Sequence, residues 1–230
     1  MADPWRRRVE IGDAVLLLGD AIECLPHVRA DCVIADPPYG IGYKPLRGSN
    51  GSKMWGDEVV TGDAQEFDPS PFAGFGKAVL WGATAYSNRL PQSYGWLVWD
   101  KCPRGPRDGF IYSHCELAWT NFLGRIQKIS LEWEGSSRRG EPFLHPTQKP
   151  VDVMRWCIEQ CKLKPGSVIL DPYAGSFTLA VAATQMGFPS ISIEIEPKYF
   201  EIGVERITNA YRQGKLFEEP RPKPVQETLI

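Results

Sequence analysis

The sequence predicts an α/β fold, a mostly parallel sheet covered by helices on both faces. Three observations predict it. Short apolar runs recur along the chain, and five of them stop at an acid or just before one. Amphipathic helical patterns alternate with such runs in the C-terminal half. Hydrophobic residues make up 43% of 230, enough for one sizeable core.

The elements follow in order. Ala14 to Leu18 is an apolar run ending at Gly19-Asp20, and Asp31 to Ala35 is another, ending at Asp36. Gly40 to Glu58 is rich in Gly, Ser, Lys and Arg without a period and reads as a long loop. Ala78 to Trp81, Trp96 to Trp99 and Cys115 to Trp119 are three further strands. The polar stretch from Phe122 to Pro142 reads as an insertion. Val151, Met154, Ile158 and Cys161 step along one helix face that opens at Pro150 and breaks at Lys164-Pro165-Gly166. Val168 to Leu170 is a strand ending at Asp171, Thr178 to Met186 a helix, and Ile191 to Ile193 a strand ending at Glu194. Phe200, Val204, Ile207 and Tyr211 mark a last helix, and residues 213–230 read as a loose tail.

Bulk properties exclude more than they assign. The net charge of -2 gives no general affinity for nucleic acid, so any such contact needs a local patch. The six cysteines form no CxxC pair, which argues against zinc or dithiol chemistry, and no metal is expected. Cys157 and Cys161 read as reduced packing residues. Arg6, Arg7 and Arg8 read as a solvated end with no apolar run behind them, and no stretch reaches the roughly 18 apolar residues of a membrane span. A cytoplasmic location is expected.

Ligands of such sheets bind beyond the carboxyl ends of the strands, where strand order reverses. Asp171 and Glu194 stand at two such ends. The second follows the first by 23 residues, close to the ~20-residue spacing at which an acid meets a ribose diol. The turn Asp171-Pro172-Tyr173-Ala174-Gly175-Ser176-Phe177-Thr178 lacks the G-x-G-x-x-G of a dinucleotide site. An acid at its head repels phosphate and favours a cationic ligand, such as the ammonium and sulfonium of S-adenosylmethionine; the bland alternative is a helix cap.

Asp36-Pro37-Pro38-Tyr39 follows a buried strand directly. Two prolines lock φ and leave carbonyls free to accept. The amino group of a base is a poor nucleophile, because its lone pair is delocalised into the ring. The Asp36 carboxylate and the Pro37 carbonyl can hold its two hydrogens and aim the lone pair at a methyl donor. Tyr39 can stack on a base turned out of the duplex.

In these residues the sequence resembles the amino-methyltransferases of DNA, in the permuted group whose catalytic motif precedes the cofactor motif. Leu18-Gly19-Asp20-Ala21, the segment from Ile34 to Gly42, Trp96-Leu97-Val98-Trp99-Asp100-Lys101, His145-Pro146-Thr147-Gln148-Lys149-Pro150, Asp171 to Ser176 and Ile193 to Pro197 follow that pattern in its order, over about residues 9–212. The resemblance implies a Rossmann-like S-adenosylmethionine-dependent fold with a seven-stranded sheet and a target-recognition insert, here short, at about 120–144. It implies that Asp20 and Ala21 meet the adenine of the cofactor and Glu194 its ribose, with Ile195 packing on the adenine. Thr147, Gln148 and Lys149 border the methionine end, Lys149 reaching its carboxylate, and Asp171, Ala174, Gly175 and Ser176 form the cofactor turn. D-P-P-Y in this group implies adenine N6, with cytosine N4 the alternative. A prokaryotic or phage source, restriction–modification and a homodimer are also implied.

Two departures stand out. Phe177 replaces the third glycine-like position of the turn and is expected to crowd the cofactor loop. The short insert predicts a short or degenerate recognition site. DNA contacts are expected from Lys44, Arg47 and Lys53, with Trp55, and from Arg138 and Arg139, in a region where eight Lys or Arg between 101 and 150 face five acids. Gln213-Gly214-Lys215-Leu216-Phe217 resembles the peptide by which bacterial proteins dock on the replication sliding clamp. Competing readings are methylation of RNA or of a glutamine amide, a non-catalytic nucleic-acid-binding partner subunit, and a nicotinamide oxidoreductase.

Overall fold

The computed structural model describes residues 3–43, 60–105, 113–133, 141–142 and 144–215. One nine-stranded sheet organises them: β1 (Trp5–Ile11), β2 (Ala14–Gly19), β3 (Cys32–Ala35), β4 (Lys77–Trp81), β5 (Gly95–Asp100), β6 (Cys115–Thr120), β7 (Ile126–Ser130), β8 (Ile169–Asp171) and β9 (Ser190–Glu194). Their order across the sheet is β1-β2-β9-β8-β3-β4-β6-β5-β7. The run from β2 through β9, β8 and β3 to β4 is parallel. β1 pairs antiparallel with β2, and β6 runs antiparallel to both β4 and β5.

All seven strands read from apolar runs are present, and the expected count of seven is corrected to nine. The two additional strands, β1 and β7, are the outermost ones. Edge strands bury little, so no apolar run marks them. β1 reads WRRRVEI, and the three arginines expected to be a solvated end lie in it. Arg6 donates to the Ile195 carbonyl, and Arg7 pairs with Glu201 while lying 5.3 Å over the Phe200 ring. β7 lies inside the stretch read as an insertion and pairs in parallel with β5.

The strands alternate with period two, as a sheet buried on both faces requires. Leu16, Leu18, Cys32 and Ile34 point to one face, Leu17, Val33 and Ala35 to the other. Three helices cover the first face: α3 (Val151–Cys161), α4 (Thr178–Met186) and α5 (Pro197–Lys215). The stepping residues Val151, Met154, Ile158 and Cys161 are all buried on α3. The second face is covered by less regular chain: α1 (Ala21–Cys24), α2 (Ser70–Ala73) and the side chains of Phe67, Phe72 and Tyr86. Helices on both faces are therefore present but unequal. Cys157 and Cys161 are buried and reduced.

Phe177 corrects a second expectation. It takes a left-handed conformation (φ 60°) just before α4 and is fully buried. Its ring lies against α5, at Gly203 and edge-on to Phe200, with centroids 6.2 Å apart. Its ring is taken up by packing against α5, whereas the sequence places its bulk in the cofactor loop.

The topology fixes where a ligand can sit. β8 and β3 are neighbours, but the chain leaves β8 toward β9 and leaves β3 toward β4. This is the reversal of strand order at which open α/β sheets bind ligands. Asp171 ends β8, and Asp36 follows β3.

Candidate active site

Four acids project from four adjacent strand ends: Asp20 after β2, Glu194 on β9, Asp171 on β8 and Asp36 after β3. A cavity of about 1010 Å³ opens above them. Asp20, Ala21, Asp36, Pro37, Pro38, Tyr39, Thr147, Gln148, Lys149, Gly175, Glu194 and Ile195 line it. Asp171, Ala174 and Ser176 line a smaller adjoining recess of about 60 Å³, which shares Asp36, Lys149 and Gly175 with the main cavity. The sequence-derived catalytic and cofactor residues thus converge on one crevice. Lys44, Arg47, Lys53, Trp55, Arg138 and Arg139 lie outside the described residues, as do Leu216 and Phe217 of the clamp-like peptide.

Each acid has local partners that orient it. Asp20 caps α1, its Oδ1 accepting from Ile22 N–H at 2.8 Å and Glu23 N–H at 3.1 Å. Glu194 accepts Gly175 N–H at 2.7 Å and Glu196 N–H at 2.8 Å, which ties the cofactor turn to the end of β9. Burial pushes the Glu194 carboxyl up to about 7, against the pull of those N–H groups. Asp171 is 6% exposed. Burial, aided by the charges of Asp36 and Glu194, pushes its carboxyl up to about 8. Burial thus holds both carboxyls above their ordinary range, and a cationic ligand beside them would favour their ionised forms.

The D-P-P-Y segment is held from several sides. The Tyr39 hydroxyl donates to Asp36 Oδ1 at 2.7 Å. Its ring packs against Gly82, where an added Cβ would sit 1.9 Å from a ring carbon. Beyond the motif, the buried Asp63 carboxylate accepts Gly40 N–H at 2.8 Å and Ile41 N–H at 3.4 Å, and its carbonyl accepts Gly42 N–H at 3.0 Å. Sequence reasoning missed Asp63, which lies in a polar segment just after the long loop.

Lys149 behaves differently from the expectation that it reaches the methionine carboxylate. Its ammonium stands 2.5 Å from Asp36 Oδ1 and 3.2 Å from Glu116 Oε2, and donates to the Tyr39 hydroxyl at 3.2 Å. Gln148 likewise uses its amide on its own loop, accepting Leu144 N–H at 2.9 Å and donating to the Pro142 carbonyl at 3.0 Å. Glu116, on β6, also pairs with Lys101. Burial raises the Glu116 carboxyl, but Lys149 and Lys101 outweigh it and hold the group at about 2. Among the described residues no group of three His, Cys, Asp or Glu is placed to hold a metal, and no helix is long and apolar enough to cross a membrane.

Comparison with known proteins places this geometry. Residues 96–205 match the model of a family described as DNA methylase. The putative methylase YubD of Escherichia coli K12 is 29% identical over 214 residues, 84% of this chain and 90% of that protein. The DNA adenine methyltransferase YhdJ of the same organism is 41% identical over 63 residues, 27% of this chain and 21% of that protein. The solved structure of the M1.HpyAVI–SAM complex aligns with a TM-score of 0.55 at 17% identity, covering 84% of this chain and 98% of that one, a likeness of fold.

Proposed function

We infer that this chain, a relative of the DNA methylases through residues 96–205, transfers a methyl group from S-adenosylmethionine to an exocyclic amino group of a DNA base. The observation that carries the reading is the convergence of Asp20, Glu194, Asp171 and Asp36 on one cavity at the reversal of strand order. Adenine N6 is the favoured acceptor, from the D-P-P-Y form of the motif and the adenine activity named for YhdJ. Cytosine N4 is the alternative.

The residues present fit the cofactor. The cavity is large enough for a nucleoside carrying an amino-acid arm, and burial raises its acids in a way that a bound cation would offset. Asp20 and Ala21 would meet the adenine, with Ile195, 38% exposed, as an apolar wall. Glu194 would take the ribose with the lone pairs its two backbone partners leave. Asp171, Ala174, Gly175, Ser176, Thr147 and Gln148 would border the amino-acid arm. When bound, the cofactor supplies a methyl group made electrophilic by its sulfonium.

The chain's own contribution is grip and alignment. Asp36 has one oxygen fixed by Tyr39 and Lys149, while Oδ2 has no hydrogen-bond partner among the described residues. Asp36 Oδ2 and the Pro37 carbonyl would accept the two amino hydrogens and turn the nitrogen lone pair outward. The Asp36 charge then offsets the positive charge that develops on nitrogen, and alignment contributes several kcal/mol more. Tyr39 would stack on the everted base. Lys44, Arg47, Lys53, Arg138 and Arg139 are proposed to face phosphates, and the chain to act as a homodimer.

The test uses methyl-labelled S-adenosylmethionine with duplex DNA, RNA and protein, followed by hydrolysis and identification of the labelled species. Label in N6-methyladenine is expected. Label in N4-methylcytosine would move the assignment to the other base, and label confined to RNA or protein would overturn it.

A further inference from the structure

Glu116 belongs to a chain of alternating charges, Lys101, Glu116, Lys149 and Asp36, that ends on Asp36. One of its carboxylate oxygens pairs with Lys101 and the other lies 3.2 Å from the Lys149 ammonium. That ammonium is 2.5 Å from Asp36 Oδ1 and 3.2 Å from the Tyr39 hydroxyl. An ammonium has three protons, and here it meets three acceptors. Two rings enclose it, Trp81 at 5.3 Å and Tyr39 at 5.8 Å from centroid to Nζ. The side chains are only 5% exposed at Lys149, 22% at Asp36 and 25% at Glu116.

In so sheltered a place each charge feels its neighbours strongly. Paired with Lys149 alone, Asp36 would have its charge largely cancelled, and the amino group of a base would meet a nearly neutral partner. Glu116 draws part of the Lys149 charge to itself. It also fixes the direction from which Lys149 holds Asp36 Oδ1, leaving Oδ2 without a hydrogen-bond partner among the described residues.

We propose that Glu116 is a positioning residue for methyl transfer: through Lys149 it sets the orientation of Asp36 and preserves its negative charge. The inference rests on the functional reading above and deepens it.

Glu116→Gln keeps the shape and removes the charge. It is expected to lower kcat about thirtyfold while KM for cofactor and for DNA stays within about threefold, because the loss falls on alignment and charge at the reacting nitrogen. Glu116→Asp, which keeps the charge, is expected to recover most of that rate. A second readout needs no methyl transfer. In protein labelled at lysine 13Cε, the Lys149 ammonium is expected to lose its proton at lower pH in Glu116→Gln than in the parent, since burial opposes its charge and Asp36 and Glu116 sustain it.

Unchanged kcat in folded Glu116→Gln overturns the proposal. So does a rate loss that only tracks loss of folded protein while the Lys149 titration stays put. If Glu116→Gln does not fold, Glu116→Ala, which also removes the carboxylate, carries the comparison, and parent-like kcat with a parent-like Lys149 titration overturns the idea. A Glu116-dependent Lys149 titration in a protein that methylates nothing would instead fault the functional reading and leave the coupling standing.

Discussion

Asp36→Asn is expected to reduce methyl transfer about a thousandfold, roughly 4 kcal/mol of barrier, while S-adenosylmethionine still binds. The amide nearly matches the carboxylate in size, so packing against Tyr39 and Pro37 survives. The charge does not. The amide offers one acceptor oxygen and an NH2 that opposes the hydrogens of a base amino group. Lys149 keeps Glu116 and the Tyr39 hydroxyl as partners, so the fold loses less than the reaction does. Single-turnover transfer with labelled cofactor measures the rate, and calorimetry measures binding. A variant with more than about a tenth of the parent rate would show that no charged grip is needed.

Phe177→Ala is expected to destabilise the protein by about 3–5 kcal/mol, because it empties a site sealed between α4 and α5. For a chain of this size that is a fall of about 10–15 °C in melting temperature. The position adds a sharper test. Its φ of 60° strains any residue with a Cβ, by about 1 kcal/mol. Phe177→Gly removes one carbon more, worth about 0.8 kcal/mol of burial, yet relieves that strain. It is therefore expected to be no less stable than Phe177→Ala. Denaturant titration of both variants measures the difference. Because the ring lies outside the cavity, both should bind cofactor at temperatures where they are folded.

What the sequence discloses about this fold follows from burial. The seven inner strands are legible because residues such as Val33, Ile34, Leu80 and Leu97 face packed chain on both sides of the sheet. β1 and β7 are not, since an edge strand such as IQKIS shows only half an apolar face. Asp36, Asp171 and Glu194 are legible because an acid directly at the end of a buried run is unusual. Glu116 is not. In Cys115–Thr120 it reads as a solvent-facing residue of an antiparallel strand, and its environment is made by lysines from other segments. The orientation of Phe177 depends on a left-handed φ, which no apolar pattern encodes.

The buried acids beside Asp36 have a thermodynamic signature. With carboxyls raised to about 8 at Asp171 and about 7 at Glu194, protonated forms are well populated at pH 7. A cation favours their ionised forms, so its binding expels protons, and affinity rises with pH until both groups are already ionised. Titration calorimetry of S-adenosylmethionine at pH 7, in buffers of different ionisation heat, counts those protons. Release of about one proton is expected, with less for S-adenosylhomocysteine, which lacks the sulfonium, and less for Asp171→Asn. Proton uptake, or equal release for the two cofactor forms, would contradict a crevice whose buried acids ionise around a sulfonium held beside Asp36.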